Sequence, residues 1–414
     1  MVRGYKIFDA DAHAMLCPKM WQDLPESYAA RRPRPVRIDD AADLGRWTNG
    51  WLIEGRMLPA PFGPGAQPGN EPKRVLKEFG APADSAHFSI GSITLADPQA
   101  RIRDLDEAGV DAQMLFPTTL YARMTSEPGF EAALFRCYNR YMGRQCAFNP
   151  RRLKWGGLLP MRDPREAFEA IEEMQMLGAS AAVVFGTVGD RLLSHSTFLP
   201  IWERFASTGL PLCVHMGMSY TPFEQVCQNL FETHGIGMSL PAQLAFVALV
   251  GDGILDRFPS MKVAFLEFGA EWIFYMIGRL GHYLPIDRRD MPVKDSLPKQ
   301  RIEDYLTSGR LFVAAEAEDQ LLAHDFFLSL RLGEALEFRK LSKSGMGMAI
   351  FLGNLDDSVK VHEFLVDVLR RSLKNGIWNI GSCIQLTAHH SHIELRTGIA
   401  GDKFRLLEAE EPGK

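Results

Sequence analysis

Several features that would assign a chain quickly to a broad class are missing here. There is no CxxC pair, and the six cysteines (Cys17, Cys137, Cys146, Cys213, Cys227 and Cys383) follow no regular spacing. That fits reduced thiols used for packing better than a disulfide framework. A basic excess is also missing: 46 Lys and Arg stand against 51 Asp and Glu, for a formal net charge of -5. The chain therefore carries no electrostatic footprint for nucleic acid and no lysine-rich tail for a membrane surface. The opening "MVRGYK" runs into the first strand without the apolar core and cleavage site of a signal peptide, and no apolar run approaches the length of a membrane span. Internal repeats and low-complexity tracts are absent too. The expectation is a soluble, cytoplasmic protein that acts on a small molecule, contacts neither nucleic acid nor membrane, and forms a homodimer as enzymes of this size commonly do.

What is present is alternation. Short apolar runs are separated by longer segments of helical period, the pattern of a parallel sheet with crossover helices. Seven strands are expected: "YKIFDADAH" at 5–13, "AQMLFP" at 112–117, "LKWGGLLP" at 153–160, "SAAVVFG" at 180–186, "PLCVHMG" at 211–217, "KVAFLEFG" at 262–269 and "LFVAAEA" at 311–317. Strands apolar along their whole length suit a sheet covered on both faces. Between them, "PQARIRDLDEAG" has Pro98 in its first turn and Gly109 as a stop, and "DPREAFEAIEEMQMLG" begins on Asp163 and ends on Gly178. The fold class is α/β, a (β/α)8 TIM barrel spanning residues 1–414 as one domain. Two stretches break the rhythm. Residues 18–94, rich in proline and glycine, read as an insertion covering the barrel mouth, and residues 331–414 form a divergent C-terminal portion. The eighth strand is expected in that portion, at "MAIFLG", 348–353.

Barrel chemistry gathers at the C-terminal ends of the strands. Asp9, Asp11 and His13 alternate along the first strand, so an ideal pleat projects all three from one face. His215 closes the fifth strand and Glu267 the sixth. Carboxylate and imidazole groups converging from different strands make a ligand set for zinc, manganese or iron, with positions left open for water or substrate. Asp9 lies deeper and is read as a hydrogen-bonding residue of the barrel floor. His234, placed on a loop before a helix, is a candidate general acid or base. The "HHSH" run sets His390 and His392 at a chelating spacing but reads as a solvated turn.

On these residues the chain resembles the amidohydrolase superfamily, in the amidohydrolase-related (amidohydrolase 2) branch that includes aminocarboxymuconate semialdehyde decarboxylase and the resorcylate-type decarboxylases. The resemblance rests on "DADAH", "PLCVHMG", "LDRFPSMKVAFLEFGAEWIFYMIGRL" at 255–280 and "LFVAAEAEDQLL" at 311–322. It implies a (β/α)8 barrel whose divalent metal is held by Asp11 and His13 on the first strand and by His215 on the fifth. Glu267 stands where many relatives carry a histidine, and it would bind metal or move protons. An aspartate motif after strand eight is expected of relatives and is not found. Asp356 and Asp357 in "FLGNLDDS" are the substitutes that follow the candidate strand. The expected function is that of a metal-dependent enzyme, a hydrolase or carbon–carbon lyase. It would act on a small carboxylated or aromatic substrate by metal-assisted hydrolysis or non-oxidative decarboxylation. Zinc is the first choice of metal, with manganese and iron as alternatives. A dinuclear iron or manganese oxygenase of the same fold and a catalytically degenerate partner subunit are the rival readings.

Overall fold

The structure is a computed structural model that describes residues 7–37, 49–59, 89–118, 120, 124–227, 230–290 and 298–314, with short strands at 335–339, 349–353, 385–389, 392–396 and 403–404. All seven expected strands form. They are β1 (Phe8–Ala14), β2 (Ala112–Pro117), β3 (Leu153–Leu158), β4 (Ala181–Val184), β5 (Leu212–His215), β6 (Val263–Leu266) and β7 (Leu311–Val313). They lie in sequence order in one sheet, each parallel to its neighbour. The sheet curls as the wall of an α/β barrel.

Helices return the chain between strands, as parallel pairing requires. They are α1 (Pro98–Ala108), α2 (Pro128–Cys146), α3 (Pro164–Met176), α4 (Leu199–Ala206), α5 (Leu240–Phe246), α6 (Glu271–Asp290) and α7 (Ile302–Thr307). Their ends follow the expected signals. The Asp97 side chain accepts from the Ala100 N–H, and Gly109 closes α1 at φ 74°. The Asp163 side chain accepts from the N–H groups of Arg165 and Glu166 at the start of α3. A Ser, Thr, Asp or Asn at this position contributes about 1 kcal/mol over alanine.

The eighth place departs from expectation. A strand does form at Ala349–Gly353 (β9), but it runs antiparallel to β1, with Phe8 opposite Phe351, and makes a hairpin with β8 (Ala335–Arg339). A hairpin partner enters from the opposite end of its neighbour, whereas a parallel strand needs a full crossover. A further hairpin, Gln385–His389 with His392–Arg396, occupies the stretch where no regular pattern was expected.

Within the 18–94 segment, two 3-10 turns (Pro18–Asp23 and Glu26–Arg31) and a three-stranded antiparallel sheet (Arg34–Arg37, Asn49–Ile53, Arg56–Pro59) are described. Trp21 and Trp51, both fully buried, meet edge to face at 6.1 Å, and Asp23 pairs with Arg144 of α2 at 2.6 Å. Another correction concerns Gly235–Arg257, a helical stretch that is long and apolar enough to cross a membrane by length and composition, though 61% of its most apolar 18 residues is buried inside the protein. Its apolar residues are interrupted by Ser239 and Gln243, which hides the run in a linear reading. Cys17, Cys137, Cys146 and Cys213 are buried free thiols and Cys227 is a partly exposed one; Cys383 lies outside the described residues.

One contact ties the helix layer to the mouth of the barrel. A Cβ placed on Gly186, just past β4, would sit 2.1 Å from the Pro241 carbonyl oxygen of α5. Backbone cannot yield as a side chain can, so Gly186→Ala should destabilise the protein by about 1–3 kcal/mol. Chemical denaturation checks this, and an unchanged midpoint would refute the close approach.

Candidate metal centre

The strand-one motif does not keep an ideal pleat. Asp9 is paired with Gln113 and Ala12 with Leu115, so β1 advances from 9 to 12 while β2 advances from 113 to 115. This extra residue is a bulge, and a bulge shifts the side-chain alternation. Asp11 and His13 consequently meet in the barrel, whereas Asp9 turns toward Gln113 of β2. The expectation that all three share one face is thus corrected: the bulge separates Asp9 from the other two. Asp9 is a hydrogen-bonding residue, as expected, but its partners are the neighbouring strand and its own bulge and not the barrel floor: it accepts from the Gln113 amide at 2.7 Å and from the Asp11 N–H at 3.2 Å.

Asp11, His13 and His215 place one ligand atom each within 4.8 Å of one another, and they can hold a divalent metal. His215 Nε2 lies 3.2 Å from Asp11 Oδ1 and 3.4 Å from Glu267 Oε2. His13 Nε2 lies 3.8 Å from Asp11 Oδ1 and 3.7 Å from Glu267 Oε2. The two imidazoles stand edge to face, with centroids 5.2 Å apart, and Phe116 packs on His215 at 5.1 Å. Residues from β1, β5 and the end of β6 thus surround one small volume.

Its chemistry suits a cation. Both ring nitrogens of His13 are buried, and neither makes a hydrogen bond of ordinary geometry, although the Pro117 carbonyl favours a proton on the ring. An orphaned buried polar group costs about 1–3 kcal/mol, which a metal ligated by the ring would remove. Burial pushes the His13 pKa down to about 4, opposed by Asp11 and reinforced by the nearby His215. His215 moves the other way. Burial disfavours its charge, but the hydrogen bond and charge of Asp11, then the charge of Glu267, raise its pKa to about 9. Its Nδ1 lies 3.1 Å from the Met216 carbonyl, which fixes a proton there and turns Nε2 to the cluster.

Glu267 reaches this volume through an unusual backbone. It adopts φ 63°, in the left-handed region that non-glycine residues seldom occupy, and Gly269 follows at φ 64°. The Trp272 indole N–H donates to the Gly269 carbonyl at 2.9 Å, while its ring packs on Phe265 and Phe246 at 5.2 and 5.8 Å. The ExGxxW motif is therefore a pinned turn that aims Glu267 back at the two histidines.

Other expected site residues fall elsewhere. The backbone of His234 lies in a π-helical turn, Thr233–Gly237, and not on a loop, because the helix that follows begins earlier than its apolar pattern suggests. Its side chain lies outside the described residues, as do Asp356, Asp357 and His390; His392 is described only as strand backbone. Sequence reasoning missed Gln113 and Arg101. The only hint was a polar residue, Gln113, inside an otherwise apolar strand.

A curled parallel α/β sheet with a carboxylate–imidazole cluster at the C-terminal ends of its strands defines a metal-binding barrel. The family profile described as Amidohydrolase matches residues 74–292, just over half of the chain. The chain belongs to the amidohydrolase family. His215 and Glu267 lie within the matched span, and Asp11 and His13 precede it. Among curated proteins, 2-amino-3-carboxymuconate-6-semialdehyde decarboxylase of Dictyostelium discoideum is 25% identical over 191 residues, covering 45% of this chain and 51% of that protein. Gamma-resorcylate decarboxylase of Polaromonas sp. is 23% identical over 226 residues, covering 50% and 66%. The chain thus spans between half and two thirds of the curated relatives it matches. Among solved structures, an amidohydrolase of Mycobacterium avium subsp. paratuberculosis superposes with a TM-score of 0.57 at 19% identity, covering 77% of this chain and 86% of that one. The 5-carboxyvanillate decarboxylase of Sphingomonas paucimobilis gives 0.52 at 19% identity, covering 76% and 82%. A 5-carboxyvanillate decarboxylase of Novosphingobium aromaticivorans, solved with bound manganese and 3-methoxy-4-hydroxy-5-nitrobenzoic acid, gives 0.51 at 18% identity, covering 76% and 80%. At these identities the structural likeness establishes the fold.

The charge on His215 has a consequence for binding. Its folded pKa lies above the unfolded value of 6.5, so the stability it contributes to the metal-free protein is complete below that value and is lost as pH rises through about 9. A metal must displace the Nε2 proton, so affinity should rise between pH 7 and 9 and binding should release a proton. Calorimetry of manganese or zinc binding in buffers of different ionisation enthalpy measures that release. Affinity flat across this range would contradict the assignment.

Proposed function

We propose that this protein is a divalent-metal-dependent decarboxylase acting on a small aromatic carboxylate, with Asp11, His13 and His215 as metal ligands and Glu267 as the proton-moving group. The observation that carries the proposal is the convergence of those four side chains, with Glu267 Oε2 3.4 and 3.7 Å from the Nε2 atoms of His215 and His13. The decarboxylases among the curated relatives support carbon–carbon lysis over hydrolysis. A bound divalent cation would supply positive charge to hold the substrate carboxylate and a neighbouring oxygen and to stabilise charge developing between them. Zinc and manganese both suit two imidazoles with one or two carboxylates. The manganese in the Novosphingobium aromaticivorans decarboxylase makes that metal the first to test.

The chain's own residues supply the remaining steps. A cavity of about 450 Å³ lies past the ends of β3, β4 and β5, lined by Met161, Phe185, Thr187 and Ser219 and by the charged Glu131, Arg162, Asp190 and Arg191; Asp11, His13, His215 and Glu267 are not among its lining residues. Its size fits a small ring compound. The side chains of Phe135, Leu159, Met161 and Phe185 would hold the ring, and the hydroxyls of Thr187 and Ser219, which bond each other at 3.1 Å, offer polar partners to its substituents. Glu267 would take up a proton from water and deliver it to the ring carbon as the bond to the carboxylate breaks and carbon dioxide leaves. Its side chain is 16% exposed, so water can restore the proton. His234, in the turn that follows β5, is the second candidate for proton transfer.

The test is carbon dioxide release from a panel of hydroxylated benzoates by manganese- or zinc-loaded protein, followed beside amide and lactone hydrolysis and dioxygen uptake. Decarboxylation is expected. Glu267→Gln should lower kcat about 100- to 10,000-fold while retaining metal, and His215→Ala should lose both. Hydrolysis without carbon dioxide, or dioxygen consumption, would replace this reading with the corresponding chemistry. Metal binding with no turnover of any panel member would favour a degenerate partner subunit.

A further inference from the structure

Arg101, on α1 outside the barrel, reaches both metal-ligating residues of β1 through hydrogen bonds. Its Nε donates to Gln113 Oε1 at 2.8 Å, and its Nη2 donates to the His13 carbonyl at 3.3 Å. Gln113 Nε2 donates to Asp9 Oδ2 at 2.7 Å, and Asp9 Oδ1 accepts from the Asp11 N–H at 3.2 Å. The direction of every bond follows from the ends. A guanidinium only donates, so the Gln113 oxygen must face Arg101 and its NH₂ must face Asp9, which accepts there through an oxygen that carries no proton. Asp9 and Gln113 are buried, at 2% and 7% exposure, so an unmade bond in this chain has no solvent to replace it.

The relay spans the bulge. Asp9 and Ala12 are the residues between which β1 slips against β2, and the slip removes the Asp11 N–H from the regular ladder. The Asp9 carboxylate captures that N–H, and Arg101 grips the carbonyl of His13 two residues on. We infer that Asp9, Gln113 and Arg101 are positioning residues that hold the β1 bulge in the register at which Asp11 and His13 present their ligand atoms to one metal. None of the three touches the metal volume itself; they act through the backbone of the residues that do. The inference rests on the reading of Asp11, His13 and His215 as metal ligands.

A charge-neutral swap tests it. Asp9→Asn puts an NH₂ donor in the network and sets it against the Gln113 donor. Adding Gln113→Glu places a carboxylate that accepts from both position 9 and Arg101, restoring the bonds with only the one between positions 9 and 113 reversed and net charge unchanged. Manganese affinity of the full-length protein, measured by chelator competition, is the readout, with thermal melting of the metal-free protein beside it. Wild type should bind. Asp9→Asn and Gln113→Leu should each weaken binding about 10- to 100-fold, and the Asp9→Asn/Gln113→Glu pair should return to within about threefold of wild type. Asp163→Ala, which loses a helix cap whose bonds go to the Arg165 and Glu166 N–H groups and not to the relay, should lower melting without changing manganese affinity. If the single variants bind manganese as wild type does, or if affinity merely tracks melting temperature across all variants, the positioning role is wrong while the metal site stands. If wild type binds neither manganese nor zinc, the ligand reading itself fails and takes this inference with it.

Discussion

The contact between Asp11 and His215 is the constraint on which the molecule is built. These residues belong to β1 and β5, with three strands between them in the sheet. In a flat sheet their strands would lie about 19 Å apart, yet their side chains meet at 3.2 Å. Only strong curvature closes that gap, and the interior residues permit it. A Cβ on Gly156 would stand 2.5 Å from Val183 and 2.9 Å from Phe116, so a missing side chain on β3 makes room for the Phe116 ring, which in turn packs on His215. Helix placement, the cavity beyond β3 to β5 and the metal cluster all follow from that curl.

Electrostatics in the cluster are asymmetric for a physical reason. Two imidazoles with centroids 5.2 Å apart cannot both carry a proton cheaply in a buried pocket. His215, bonded to Asp11 and near Glu267, takes the proton, and His13 stays neutral. The metal-free site therefore already gathers one positive charge among carboxylates, at the place where a cation would sit.

Backbone irregularity sits on both sides of the cluster. On one side the β1 bulge rotates Asp11 and His13 inward; on the other, Glu267 takes a left-handed conformation pinned by Trp272 through Gly269. Such conformations cost free energy and persist where surrounding structure enforces them. Here each one redirects a carboxylate or an imidazole that regular geometry would send elsewhere.

Much of this was legible in the sequence. The seven parallel strands, Pro98 and Gly109 at the ends of α1, the Asp163 cap and the placement of Asp11, His13, His215 and Glu267 at strand ends follow from hydrophobic periodicity and from which residue types close each element, all local properties. What local pattern cannot carry is register and direction. Alternation along 9–13 predicts one face for three residues, and only the pairing of β1 with β2 reveals the slip that sends Asp9 to Gln113. Apolar content at 348–353 specifies a strand but not its sense, which its hairpin partner decides. Arg101 and Gln113 lie twelve positions apart in sequence and about a hundred from Asp9, and their relay exists only because α1 packs behind two paired strands. The sequence by itself determined the seven parallel strands, the Asp163 cap and the strand ends that carry the carboxylate and imidazole groups. The tertiary structure decided which of them meet, because a hydrogen bond between distant residues depends on strand register and sheet curvature, and neither is written in any short stretch of chain.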